Sequence, residues 1–123
     1  MLRVAASVVA AVGMLAAAQA RADEQPAAAD LEFFENKVRP LLVERCYKCH
    51  SAQAETLRGG LLLDSREGWT KGGDSGPAIV PGDPAESLLV QAVEYGDDGV
   101  QMPPDGKLPA EEIAILREWV RRG

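Results

Sequence analysis

The apolar positions of this chain fall into a few stretches separated by polar segments rich in glycine and proline. The first stretch, Val4 to Ala18, is almost wholly apolar and carries no period. Arg3 precedes it, and the small residues Ala18 and Ala20 close it. A basic start, a short apolar run and small residues two apart form the pattern of a secretory signal peptide over residues 1–20. The run is too short for a comfortable membrane span of roughly 20 residues. Cleavage is therefore expected after Ala20, with no transmembrane anchor left behind; an uncleaved N-terminal anchor is the competing reading. Residues 21–30 are small and polar without periodicity, and read as a flexible leader.

From Leu31 onward the pattern turns helical. Phe33, Phe34, Val38, Leu41 and Leu42 stand near the spacing of one helix face, with Asp30 as the expected N-cap and Glu32 and Glu35 in the first turns. Pro40 lies inside this helix and predicts a kink between Val38 and Leu41. The glycine-rich stretch 51–82 predicts little regular structure. It holds a brief apolar run at Leu61 to Leu63, one or two turns capped by Asp64-Ser65 and reaching Trp69, and turns at Gly72-Gly73 and Pro81-Gly82. A second helix is expected from Pro84 to Val93, with Asp83 as N-cap and Glu86 completing a capping box. Residues 94–107 read as a loop.

The last stretch places Ile113, Leu116 and Val120 on one stripe with Trp119 beside it, acids at its start, and Arg121, Arg122 and a glycine at its end. That is a third helix, with Trp119 expected to pack on Phe33 or Phe34. The sum is an all-α domain over residues 31–123, built from three main helices with long irregular connections. Aromatic residues make up only 5% of the chain, which is a thin core for this length. Loops this long in a small domain point to function, or to a bound group filling its middle.

Charge narrows the partners. The chain carries 13 basic and 19 acidic residues, a net charge of −6, and loss of residues 1–20 removes only Arg3. The remaining 103 residues are enough for one small domain, and their net charge of −7 argues against a nucleic-acid partner. A protein that docks by charge should present a basic face, and the docking should weaken with salt.

The candidate chemistry is concentrated in Arg45-Cys46-Tyr47-Lys48-Cys49-His50, which holds both cysteines and the only histidine. Thiols three positions apart followed directly by an imidazole form the C-x-x-C-H signature of covalent c-type haem attachment. In this reading Cys46 and Cys49 bind the porphyrin and His50 meets the iron. Export suits it, since such attachment takes place outside the cytoplasmic membrane. Structural zinc would want four ligands where three are present. A dithiol redox site belongs at the start of a helix after a strand. A short-loop disulfide accounts for the cysteines but not for His50.

If iron is bound, a second histidine is excluded as its sixth ligand. Met102 is the only methionine outside residues 1–20, and Pro103 and Pro104 stiffen its loop. An open position, water, Tyr95 or Lys48 are the alternatives. His50 also needs an acceptor for its other ring nitrogen, and the carbonyls of Pro77 and Pro81 are candidates. Arg58, Arg66, Trp69 and Lys71 are candidate donors to haem propionates.

Taken together, FFENKVRPLLVERCYKCH, GGLLLDSREGWTKGGDSGPAIVPGDPAESLL and MPPDGKLPAEEIAILREWV resemble the planctomycete-type cytochrome c domain from about Phe33 to Gly123. The resemblance implies a class I cytochrome c-like fold wrapped around one covalent haem c. It implies Cys46 and Cys49 as attachment points, His50 as proximal ligand and Met102 as distal ligand. Such domains often stand at the start of longer exported proteins, so downstream domains are an open expectation. Leu62 stands where the family often has a basic residue, and Pro109 where a serine or threonine cap usually begins the last helix.

The expected function is one-electron transfer by an exported, periplasmic mono-haem cytochrome acting as an electron carrier rather than an enzyme. Two alternatives belong to other classes: a haem sensor or catalyst with a labile sixth ligand, and a haem-free exported module with a C-x-x-C disulfide.

Overall fold

The computed structural model describes residues 25–97 and 99–123; the signal-peptide reading of residues 1–20 lies outside them. Among the described residues every regular element is helical. The first helical run is α1, Ala28–Phe33, followed by a π-helical turn, Phe34–Val38, and by α2, Arg39–Arg45. It begins at Ala28, inside the stretch expected to be a leader. The cap position falls on Ala27, which offers no side-chain bond, so Asp30 sits within the first turn rather than capping it.

Pro40 explains the π turn. An interior proline has no N–H to donate, and its ring crowds the carbonyl four residues earlier. Widening the preceding turn relieves that crowding. The Arg39 N–H accordingly bonds the Phe34 carbonyl, five residues back. The kink expected at this proline takes the form of one wide turn.

Three further helices follow: α3, Arg66–Lys71; α4, Leu88–Val93; and α5, Ala110–Arg122. Ser65 caps α3 by accepting the Gly68 N–H at 3.0 Å. Pro109 stands at the start of α5 without a side-chain cap, and Glu111 and Glu112 in the first turn suit the positive end of the helix dipole.

The start of α4 differs from expectation. Asp83 does accept the Glu86 N–H at 3.2 Å, but it closes only an isolated turn. Ser87 then adopts extended geometry with φ −87° and ψ 117°. Its fully buried hydroxyl accepts the Val80 N–H at 2.9 Å and donates to the Asp83 carbonyl at 2.8 Å. Serving two backbone groups of the preceding loop holds Ser87 out of the helix, so α4 is shorter than the capping box implied.

The core has two parts. In one, Val38, Leu41 and Leu42 of the first helical run pack with Leu116 of α5, Val93 of α4 and Leu108. In the other, Leu63, Ala78, Ile79, Leu89 and Val90 pack with Val120. Trp119 touches both, with its ring 5.5 Å from Phe34 and edge-on to Trp69 at 4.9 Å. Such aromatic pairs each contribute about 0.5–1.5 kcal/mol beyond the area they bury.

Surface contacts oppose the chain senses of the N-terminal run and α5. Arg122 near the end of α5 reaches Asp30 at 3.3 Å and lies over the Phe33 ring at 4.0 Å, while Arg45 at the end of α2 grips Glu112 near the start of α5 with two bonds of 3.1 and 3.0 Å. Exposed pairs of this kind contribute little singly, about 0–1 kcal/mol. No helix among the described residues is long and apolar enough to cross a membrane.

Removing the buried Ser87 hydroxyl should leave the Val80 N–H and the Asp83 carbonyl without the partner that joins them. Ser87→Ala is expected to destabilise the protein by about 1–3 kcal/mol in denaturant unfolding; a midpoint equal to the parent's would show that this hydroxyl does not hold the loop.

Candidate functional site

Helix α2 ends at Arg45, where Cys46 leaves helical geometry at φ −125°. The next residues form a tight turn in which the Cys49 and His50 N–H groups both bond the Cys46 carbonyl, at 3.2 and 3.0 Å. The Ser51 hydroxyl closes it by donating to the Tyr47 carbonyl at 2.6 Å. Both thiols and the imidazole therefore come from one turn. Both cysteines are unpaired and half-buried.

Cys46 packs against both parts of the core. Burial among apolar side chains disfavours its thiolate and pushes the thiol up to about 11. Near neutral pH it is a protonated thiol in an apolar wall.

The segment 58–63 runs back along the turn and is bonded to it twice: the Arg58 N–H bonds the Cys49 carbonyl at 3.0 Å, and the Leu63 N–H bonds the His50 carbonyl at 2.8 Å. Gly59 and Gly60, with φ of 60° and 62°, supply the left-handed bend that reverses the chain here. The bend brings the Leu61 carbonyl within 3.3 Å of His50 Nδ1. A carbonyl has no proton to give, so Nδ1 is the donor and the neutral ring keeps its lone pair on Nε2.

The acceptor beside His50 is thus the Leu61 carbonyl and not that of Pro77 or Pro81. Backbone bonds from the Ala78 N–H to the Trp69 carbonyl and from the Gly82 N–H to the Val120 carbonyl tie the proline-bearing loop to other segments. Proline rigidity suggested those residues, whereas the two ladder bonds to the turn decide for Leu61. The signal in the sequence was Gly59-Gly60, a reversal only a few residues after His50.

A second turn presses the 58–61 segment into place. The Asp74 N–H bonds the Gly59 carbonyl at 2.9 Å, and a Cβ on Gly73 would lie 2.1 Å from that carbonyl oxygen. Glycine is what allows this approach.

Met102 comes from the loop after α4, not from the turn. Its N–H bonds the Ala92 carbonyl at 3.0 Å, and its side chain is half-buried. Val93 before the loop and Leu108 after it sit in the same part of the core as Leu41, Leu42 and Cys46. Both ends of the loop are thus anchored in the wall that carries the first thiol. Of the weaker ligand candidates, Lys48 is exposed and Tyr95 donates its hydroxyl to the Pro103 carbonyl.

Of the candidate propionate donors, Arg58, Arg66 and Lys71 are exposed and make no ion pair among the described residues. The Trp69 ring packs in an aromatic group with Phe34 and Trp119.

The donor set fits a covalently held haem. Two unpaired thiols on one turn can each form a thioether with a vinyl group, and the adjacent imidazole keeps Nε2 free for iron. The turn and its helical frame define a c-type cytochrome domain, a haem-binding electron-transfer module. Within that class the chain carries a domain of the Planctomycete cytochrome C family, matched over residues 46–106, from the first cysteine to near the end of the Met102 loop. No curated protein and no solved structure matches the chain.

Gly73→Ala is expected to force the 72–76 turn off the 58–61 segment, lowering stability by about 1–3 kcal/mol, the usual range for overpacking. Unfolding of the haem-loaded protein by denaturant checks this, and an unchanged midpoint would mean that the close approach is not needed.

Proposed function

We propose that this protein is an exported mono-haem c-type cytochrome of class I type that passes single electrons through an iron held by His50 and Met102. The observation that carries the reading is His50 itself: it follows two unpaired cysteines on one turn, and the Leu61 carbonyl holds its Nδ1 proton so that Nε2 is free.

The haem supplies the ferric–ferrous couple. The protein residues do the rest. Cys46 and Cys49 fix the ring's position through thioethers. The carbonyl behind His50 sets the tautomer and ring orientation and makes the imidazole a better donor. A thioether ligand from Met102 favours the reduced state and so raises the potential relative to two histidines. With His50 and Met102 as the residues that would hold the iron, substrate would have no ready access to it, which favours an electron carrier over an enzyme. The acidic balance of the chain supports a redox partner with a basic face. The N-terminal sequence pattern supports export to the periplasm.

His50→Ala is expected to abolish the low-spin spectrum of the matured protein; an unaltered spectrum would refute proximal ligation by His50. Met102→Ala should keep haem attached, lower the midpoint potential and open the ferrous iron to carbon monoxide. Equal carbon monoxide binding by parent and variant would show that the sixth position is already labile, and would favour a sensor or catalyst.

A further inference from the structure

Tyr95 is the one non-glycine residue among the described residues with a left-handed backbone, at φ 59°. A side chain with a Cβ is disfavoured there, and such outliers persist where the surrounding structure makes use of them. Glycine would suit this position sterically, but it has no hydroxyl.

The use is visible at the Met102 loop. The Ala92 carbonyl near the end of α4 receives the Tyr95 N–H at 3.3 Å and the Met102 N–H at 3.0 Å, so one acceptor gathers both ends of the excursion. The Tyr95 hydroxyl then reaches across and donates to the carbonyl of Pro103, the residue directly after Met102. The described residues between, 96–97 and 99–101, are all exposed, with Val100 at 60%. Packing does little to hold this excursion, and the hydrogen bonds at its base fix where residue 102 sits.

We propose that Tyr95 is a positioning residue that latches the Met102 loop and keeps the Met102 thioether at the iron. The proposal rests on the reading of Met102 as the sixth ligand. The left-handed turn ends α4 and aims the phenol back over the loop; the hydroxyl pins Pro103; and Met102, held by its own N–H on one side and by Pro103 on the other, keeps little freedom to swing away. Tyr95 touches neither iron nor electron partner in this role. It acts through the backbone.

The test compares the haem-loaded parent with Tyr95→Phe and Met102→Ala. Tyr95→Phe keeps the ring and removes only the donor. It should retain covalent haem and a low-spin resting spectrum. The fraction of molecules with Met102 off the iron should rise roughly fivefold, which is what loss of one neutral hydrogen bond corresponds to. Carbon monoxide association with the ferrous protein, which waits on that open state, should quicken by about the same factor, and exchange of the Met102 amide hydrogen should quicken with it. A Tyr95→Phe protein that binds carbon monoxide at the parent's rate while Met102→Ala binds it faster would overturn the latch and leave the ligand assignment standing. A lower unfolding midpoint with no change in that rate would overturn it equally, since a merely structural role produces that pattern. If Met102→Ala and parent bind carbon monoxide alike, the ligand assignment falls and the latch falls with it.

Discussion

One imidazole proton sets the terms for the rest of the molecule. The chain has a single histidine, and its neutral ring offers Nε2 to iron when Nδ1 carries the proton, a tautomer that a fixed acceptor at Nδ1 secures. The Leu61 carbonyl is that acceptor. Its placement requires the reversal at Gly59-Gly60, the two backbone bonds from 58 and 63 to the turn, and the close approach of Gly73 from behind. The glycine-rich middle of the chain, which carries little regular structure, is thus what gives the histidine its orientation.

The helices provide the wall against which that turn is held. The N-terminal run delivers Cys46 to the join between the two parts of the core, and α5 lies along it with ends tied by Arg45 to Glu112 and Arg122 to Asp30. Trp119 belongs to both parts of the core and links them with Phe34 and Trp69. Because Val93 and Leu108 bracket the Met102 loop within the same wall, the two candidate ligand segments share one rigid support although 51 positions separate His50 from Met102. A shared support of this kind suits electron transfer, where the iron changes charge and its surroundings should move little.

Much of this was legible in the residue pattern, for identifiable reasons. Helix α5 shows an apolar stripe with acids first and arginines last, and local chemistry and burial agree there. The turn that carries both thiols and the imidazole was legible because its residues are contiguous in sequence. What could not be read depended on groups distant in sequence or on the backbone. The Asp83 capping box predicted a longer α4, but Ser87 leaves the helix to serve Val80 and Asp83. The aromatic trio of Phe34, Trp69 and Trp119 joins rings from three separate segments, a grouping that no local pattern announces. Proline rigidity favours Pro77 or Pro81 as the acceptor for His50, whereas an ordinary leucine carbonyl is brought there by two glycines. Composition alone makes Tyr95 a weak ligand candidate, but its hydroxyl is engaged with a carbonyl one residue past Met102. Backbone acceptors carry no residue signature, so their roles emerge only once the turns are placed.

The most direct test of the central claim is to export the protein in a host with c-type maturation machinery, record its visible spectrum oxidised and reduced, and then stain a denaturing gel for haem. Sharp reduced bands of a low-spin haem, with the stain travelling with the polypeptide, are the predicted result. A colourless protein whose two cysteines are joined to each other would contradict the account.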